Sequence, residues 1–212
     1  MKDELRNIIS GASGVRNGAA IQAAACYLKR SKEAGEVVKE QKRCKEKEAQ
    51  VLREYISQNN LWLPDINIED YVSEGAEQKV YLNDGKHVLK LNDAIYYNTW
   101  KDYFNNLLLH NYFFPDTAYE LTGFIEEIKG KKKILYAVVK QPFVKATSQT
   151  DLQLVKDFLS NNGFLNTRNH DYYHPDLGII LEDLHDENVL TKEGTLHFID
   201  TVFFITDIFY KD

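Results

Sequence analysis

Ten consecutive residues, Leu181-Glu182-Asp183-Leu184-His185-Asp186-Glu187-Asn188-Val189-Leu190, hold two aspartates, two glutamates, a histidine and an asparagine between apolar ends. Acids raised on a short loop between buried strands are placed to hold a metal ion or to accept a proton. Ten residues on, Phe198-Ile199-Asp200-Thr201 puts a lone carboxylate at the end of an apolar run. If the strands on either side of Glu193-Gly194 pair back to back, the amide oxygen of Asn188 and a carboxylate oxygen of Asp200 face a shared point. Mg²⁺ selects oxygen ligands of this kind and usually completes its shell with phosphate oxygens and water. Asp186 and Glu187 read more simply as solvent-facing acids. A cationic counterpart is Lys90, which closes the apolar run His87-Val88-Leu89-Lys90-Leu91; taken alone, it would read as a surface lysine on an amphipathic strand.

The elements that must position these groups follow from spacing. Residues 1–60 read as helical, with Ile21, Ala24, Ala25 and Leu28 on one stripe and Val37, Cys44, Val51, Leu52, Tyr55 and Ile56 on another. Between Lys29 and Arg53 the charges are dense but mixed in sign, which suits a solvated helix face rather than a like-charge arm. After Pro64-Asp65 the period shortens. Tyr71-Val72, Val80–Leu82 and His87–Leu91 read as strands, the last two joined through Asp84-Gly85. A helix is expected from about Asp93 to Asn111, followed by strands over 119–128 and 134–140 around the basic turn 129–133. Thr150-Asp151 caps a helix that Asn161-Asn162-Gly163 stops. Short strands then fall at 178–181, 188–190 and 196–199.

Asp183-Leu184 with Asn188 five positions after the aspartate resembles the H-R-D-L-x-x-x-N loop of protein kinases, and Asp200 stands where their D-F-G begins. The D-L-H-x-x-N form is similar to small-molecule and antibiotic kinases such as aminoglycoside phosphotransferases. The likeness is greatest to the kinase-like domain of polyvalent proteins from phages and conjugative elements. It is carried by Ser73-Glu74-Gly75-Ala76-Glu77-Gln78-Lys79-Val80-Tyr81 and Leu184–Leu190 and covers roughly residues 70–206. The resemblance implies an α+β, protein-kinase-like fold: an antiparallel N-lobe sheet with a helix, then a truncated C-lobe. It also implies a set of roles. Lys90 would neutralise the α- and β-phosphates of ATP, and Asn188 and Asp200 would hold Mg²⁺. Asp183 would take the proton of an acceptor hydroxyl, and His185 would steady the transferred phosphoryl group. Gly75 would cover the phosphates, and Gln141, Phe143 and Val144 would belong to the hinge that reads adenine through backbone groups.

Leu181 and Glu182 replace the histidine and arginine of the kinase loop, Asp200-Thr201 keeps only the aspartate of D-F-G, and the chain departs from the kinase pattern in three further places. Gly75 is a single glycine where kinases carry several, and an ordinary turn would also account for it. The helix after Lys90 carries no glutamate to orient the lysine; Glu77 is the preferred substitute and Asp102 the second. Twelve residues follow Asp200, so a shortened second lobe is expected. The implied division is a helical region over 1–62, an N-lobe over 63–144 and a C-lobe over 145–212.

A net charge of −6 argues against a protein held to nucleic acid or anionic membrane by its global charge. Cys26 and Cys44 match no metal-ligand spacing, nor do His170, His174 and His185 make a zinc pattern. No apolar run reaches the ~20 residues of a membrane span, and the first residues lack a secretory layout. The expectation is therefore a cytoplasmic phosphotransferase using ATP and Mg²⁺, its acceptor a protein or small-molecule hydroxyl. The alternatives are an inactive or weak nucleotide-binding module of a mobile-element protein, and a binding module that uses the charged helix.

Overall fold

The computed structural model describes residues 1–33, 41–64, 71–74 and 78–211. It opens with three helices, α1 (Lys2–Ser10), α2 (Ala19–Glu33) and α3 (Gln41–Gln58). Leu5, Ile8 and Ile9 bury one face of α1, and Ile21, Ala24, Ala25 and Leu28 do so for α2. Leu52 and Ile56 anchor α3, with Val51 and Tyr55 half-buried beside them. Val37, expected on the same stripe, lies outside the described residues. No helix among the described residues is long and apolar enough to cross a membrane.

Beyond α3 the chain runs parallel to the edge of a sheet. The Leu63 N–H donates to Phe124 O and the Phe124 N–H to Leu61 O, both at 2.9 Å. Gly123 permits this approach: a Cβ there would stand 2.6 Å from the Leu61 oxygen.

That sheet is antiparallel and five-stranded, in the order β1 (Tyr71–Glu74), β2 (Gln78–Leu82), β3 (His87–Asn92), β5 (Lys132–Pro142), β4 (Glu120–Lys129). Cross-strand partners share a face. Lys90 stands opposite Val80 on β2 and Val139 on β5. Gln78, Val80, Val88, Lys90, Val139 and Gln141 therefore project from one side. The other side carries a separate small core of Tyr81, Leu91, Ile125, Tyr136 and Val138.

Helix α4 (Trp100–Phe113) belongs to the main core with Leu121, Leu135, Ala137 and Val139. It starts seven residues later than the sequence periodicity suggests. The Asn92 and Asp93 side chains accept the N–H groups of Ala94 and Ile95, and such local bonds compete with helix formation. Helix α4 begins where the Thr99 hydroxyl accepts from Asp102 N–H and Glu48 of α3 accepts from Trp100 N–H, satisfying two of its orphan donors.

A 3-10 turn (Pro115–Thr117) leads into β4. After β5, α5 (Leu152–Asn161) is capped by Asp151. The remaining strands are β6 (Leu165–Arg168), β7 (Asp171–His174), β8 (Ile179–Glu182), β9 (Val189–Lys192), β10 (Thr195–Phe198) and β11 (Val202–Ile205). They form an antiparallel sheet β11-β8-β7-β6 and the separate hairpin β9–β10. The main core runs from Leu5 in α1 to Phe209 in the last 3-10 turn (Asp207–Tyr210). That turn is tied back to α1, where Arg6 Nε donates to Phe209 O at 2.8 Å. The result is a mixed α+β protein with antiparallel sheets.

Candidate functional site

A hollow of about 400 Å³ lies between the β2–β3–β5 face and the polar loop joining β8 to β9. Gln78, Val80, Val88 and Lys90 form its sheet wall, and Asn188, Leu190, Ile199 and Asp200 face them. The chain 141–144 closes one end.

Lys90 is 4% exposed. Its ammonium donates to Ile199 O at 2.8 Å and stands 3.8 Å from Asp200 Oδ2. Burial pulls its pKa below the ordinary lysine value, and Asp200 partly opposes this. The Gln78 side-chain amide also donates to Asp200 Oδ2. Both contacts fall on the same carboxylate oxygen, Oδ2.

The loop after β8 is held by its own side chains. Asp183 adopts a left-handed conformation, φ 67, which Asp tolerates better than most residues. Its N–H donates to Asp171 Oδ1 at 3.2 Å, and the buried Leu184 pins the next residue. Asn188 Nδ2 donates to Asp183 O at 2.8 Å and to Asp183 Oδ2 at 2.9 Å. The same nitrogen lies 3.1 Å from His185 Nε2, so the amide is turned with its NH₂ group toward Asp183. The His185 Nδ1 accepts from Glu187 N–H at 3.3 Å, and its Nε2 also lies 3.3 Å from Asp183 Oδ1. Asn188 O then accepts from Ile199 N–H and Asp200 N–H at 2.9 and 3.3 Å. The back-to-back hairpin expected from the sequence is β9–β10, and it holds Asp200 against Asn188. Asp186 and Glu187 are exposed. Glu182, beside Asp171 and Asp183, has its carboxyl pushed up by burial and then by those two charges.

Asn188 Oδ1 and Asp200 Oδ1 are two hard oxygen donors on one wall, a set suited to Mg²⁺ that fills its remaining positions from phosphate and water. No group of three or more His, Cys, Asp or Glu side chains gathers for a metal among the described residues. His174 packs instead on Phe164, with ring centroids 5.1 Å apart.

At the far end, Gln141 is buried and its amide donates to Thr117 O at 2.8 Å. The Phe143 N–H is engaged by Lys86 O at 2.8 Å, so that donor is already used. Gly75 and Glu77 lie outside the described residues. Asp102 is not at Lys90: it sits in the first turn of α4, on a separate small hollow with Asn98 and Asn105.

Several groups around the site have no sequence signature. Helix α4 braces the segment around Asp200 twice. Asn106 Oδ1 accepts from Phe203 N–H at 2.8 Å, and His110 Nδ1 accepts from the Thr201 hydroxyl at 2.7 Å. The other ring nitrogen of His110 donates to Thr117 O at 3.0 Å. Polar residues at helix spacing on an otherwise apolar helix were the available hint; their partners, some 90 residues away, were not.

Full burial lowers the His110 pKa to about 3. The unfolded chain takes up a proton near its ordinary value of 6.5 while the folded one does not. The stability from neutral His110 is therefore full above about pH 6.5 and declines as pH falls toward about 3, by up to about 1.4 kcal/mol per pH unit. Urea unfolding followed across this range should show that slope in the parent and a shallower one in His110→Gln.

A family model described as Serine/Threonine/Tyrosine Kinase found in polyvalent proteins matches residues 45–207. No curated protein and no solved structure matches the chain.

Proposed function

The chain belongs to the family of serine/threonine/tyrosine kinases found in polyvalent proteins, and on that footing we propose that it transfers the γ-phosphoryl group of Mg²⁺-ATP to a hydroxyl of a protein or small molecule. The observation that carries this reading is the convergence of one buried cation, Lys90, with the oxygen donors of Asn188 and Asp200 on a single hollow. Phosphoryl transfer asks little covalent chemistry of a protein and much positioning and charge.

In this reading the adenine lies against the chain 141–144, where Gln141, Phe143 and Val144 supply backbone and apolar contacts. Lys90 meets the α- and β-phosphates. Asn188 and Asp200 hold Mg²⁺, which supplies neutralisation of the phosphate charge. The acceptor oxygen attacks the γ-phosphorus, the bond to the β–γ bridging oxygen breaks, and ADP departs with that electron pair. The acceptor's proton passes to the Asp183 carboxylate. His185, its Nε2 3.3 Å from Asp183 Oδ1, keeps that carboxylate oriented and steadies the transferred phosphoryl group. Residues 63–144 then serve as the nucleotide-facing part, 145–212 as the catalytic part and 1–62 as a helical brace.

A nucleotide-binding module without turnover is the second reading. It is favoured by the lack, among the described residues, of any carboxylate other than Asp200 at Lys90. Incubation with γ-labelled ATP and Mg²⁺, alone and with a mixed protein acceptor, separates the two. Label on the chain or the acceptor is expected. A rise in melting temperature with Mg²⁺-ATP but no label would favour the second reading, and neither effect would refute both.

A further inference from the structure

Kinases commonly orient the phosphate-binding lysine with a glutamate from the neighbouring helix. Helix α4 offers one acid, Asp102, and it faces elsewhere. Yet Lys90 is firmly held. Its ammonium shares an acceptor with a tyrosine: the Tyr119 hydroxyl donates to Ile199 O at 2.9 Å, and Lys90 donates to the same oxygen at 2.8 Å. The two donors together use both lone pairs of that carbonyl. The Tyr119 ring also lies beneath the ammonium, 5.4 Å from centroid to Nζ, within the range of cation–π attraction.

Tyr119 is itself rigidly placed. Asn111 on α4 holds both its main-chain groups, accepting from Tyr119 N–H and donating to Tyr119 O, each at 2.7 Å. The His110 ring packs against its ring at 4.5 Å. The helix thus reaches the lysine through Asn111 and Tyr119 rather than through a carboxylate of its own.

We infer that Tyr119 is the positioning residue for Lys90, fixing the ammonium through the shared Ile199 carbonyl and its ring face. The inference rests on the reading of Lys90 as the phosphate-binding lysine. It has a chemical consequence. A second carboxylate would neutralise more of the ammonium's charge, whereas a neutral ring and carbonyl hold it in place beside the single carboxylate of Asp200. The same carbonyl precedes Asp200, so Tyr119 also sets the path of the chain into the metal-binding residue.

The test is calorimetric titration of ATP, ADP and adenosine, with Mg²⁺, into the parent, Tyr119→Phe, Tyr119→Leu, Lys90→Ala and the Lys90→Ala/Tyr119→Phe double variant. Tyr119→Phe keeps the ring and the packing and loses only the hydroxyl. It should weaken ATP and ADP about three- to tenfold and leave adenosine within about twofold. Tyr119→Leu, which also loses the ring face, should weaken ATP further. In the Lys90→Ala background the hydroxyl's removal should change ATP affinity less than about twofold. Unchanged ATP affinity in Tyr119→Phe would overturn the inference. So would equal losses for ATP and adenosine, or an undiminished effect when Lys90 is already gone. If the parent binds no nucleotide, the functional reading itself fails and this inference with it.

Discussion

Asp183→Asn should slow phosphoryl transfer about 10²- to 10⁴-fold, the span expected when a general base is removed. The dissociation constant for Mg²⁺-ATP should stay within about twofold, because the interaction lost belongs to the transition state. The replacement isolates the proposed role in proton acceptance. Asparagine tolerates the left-handed backbone found at residue 183, and its amide oxygen can still accept the Asn188 bond. Alanine would strain that backbone and free Asn188, confounding two effects. Single-turnover transfer from labelled ATP gives the rate, and calorimetry gives the affinity. A variant as fast as the parent would remove Asp183 from the mechanism.

Asp200→Asn should have an effect of similar size through a different step. Its carboxylate is the one negative group near Lys90 among the described residues and one of the two oxygen donors on that wall. Losing it removes a proposed metal ligand and leaves the amide with a weaker pull on the ammonium. Transfer should fall about 10²- to 10³-fold, and ATP should bind equally well with and without Mg²⁺. The parent should bind ATP better with Mg²⁺ than without. A variant that keeps the metal response would place the ion elsewhere.

Much of the site could be read in the sequence because local rules dictate it. The turn at Asp84-Gly85 returns a strand whose alternation puts Lys90 on a definite face. Glu193-Gly194 folds β9 against β10, which carries Asn188 to Asp200. Helix α5 begins at its Asp151 cap as expected. The start of α4 was misplaced because Asn92 and Asp93 turn their side chains back on the chain, a competition that apolar periodicity does not register. Strands β6, β7 and β11 were not anticipated. β6 is exposed along its length, and Val202–Ile205 is too short to have a readable period.

The partners that tune the site are non-local. Gln78 reaches Asp200 across 122 residues, and His110 reaches Thr201 across 91. Such pairs are fixed by the order β2-β3-β5 and by where α4 crosses it, and neither is encoded in any short window. The lysine's anchor shows this most clearly. The kinase pattern calls for a glutamate at the lysine, and the sequence offers Asp102 and Glu77 as substitutes. Asp102 is placed away from Lys90, Glu77 is outside the described residues, and the ammonium meets Asp200 and the Ile199 carbonyl that it shares with Tyr119.

Titration of ATP into the purified chain, with and without Mg²⁺ and beside Lys90→Ala, tests the central claim most directly. Saturable one-to-one binding that strengthens with the metal and collapses without the lysine is the predicted result. No binding, or binding indifferent to both the metal and Lys90, would contradict it.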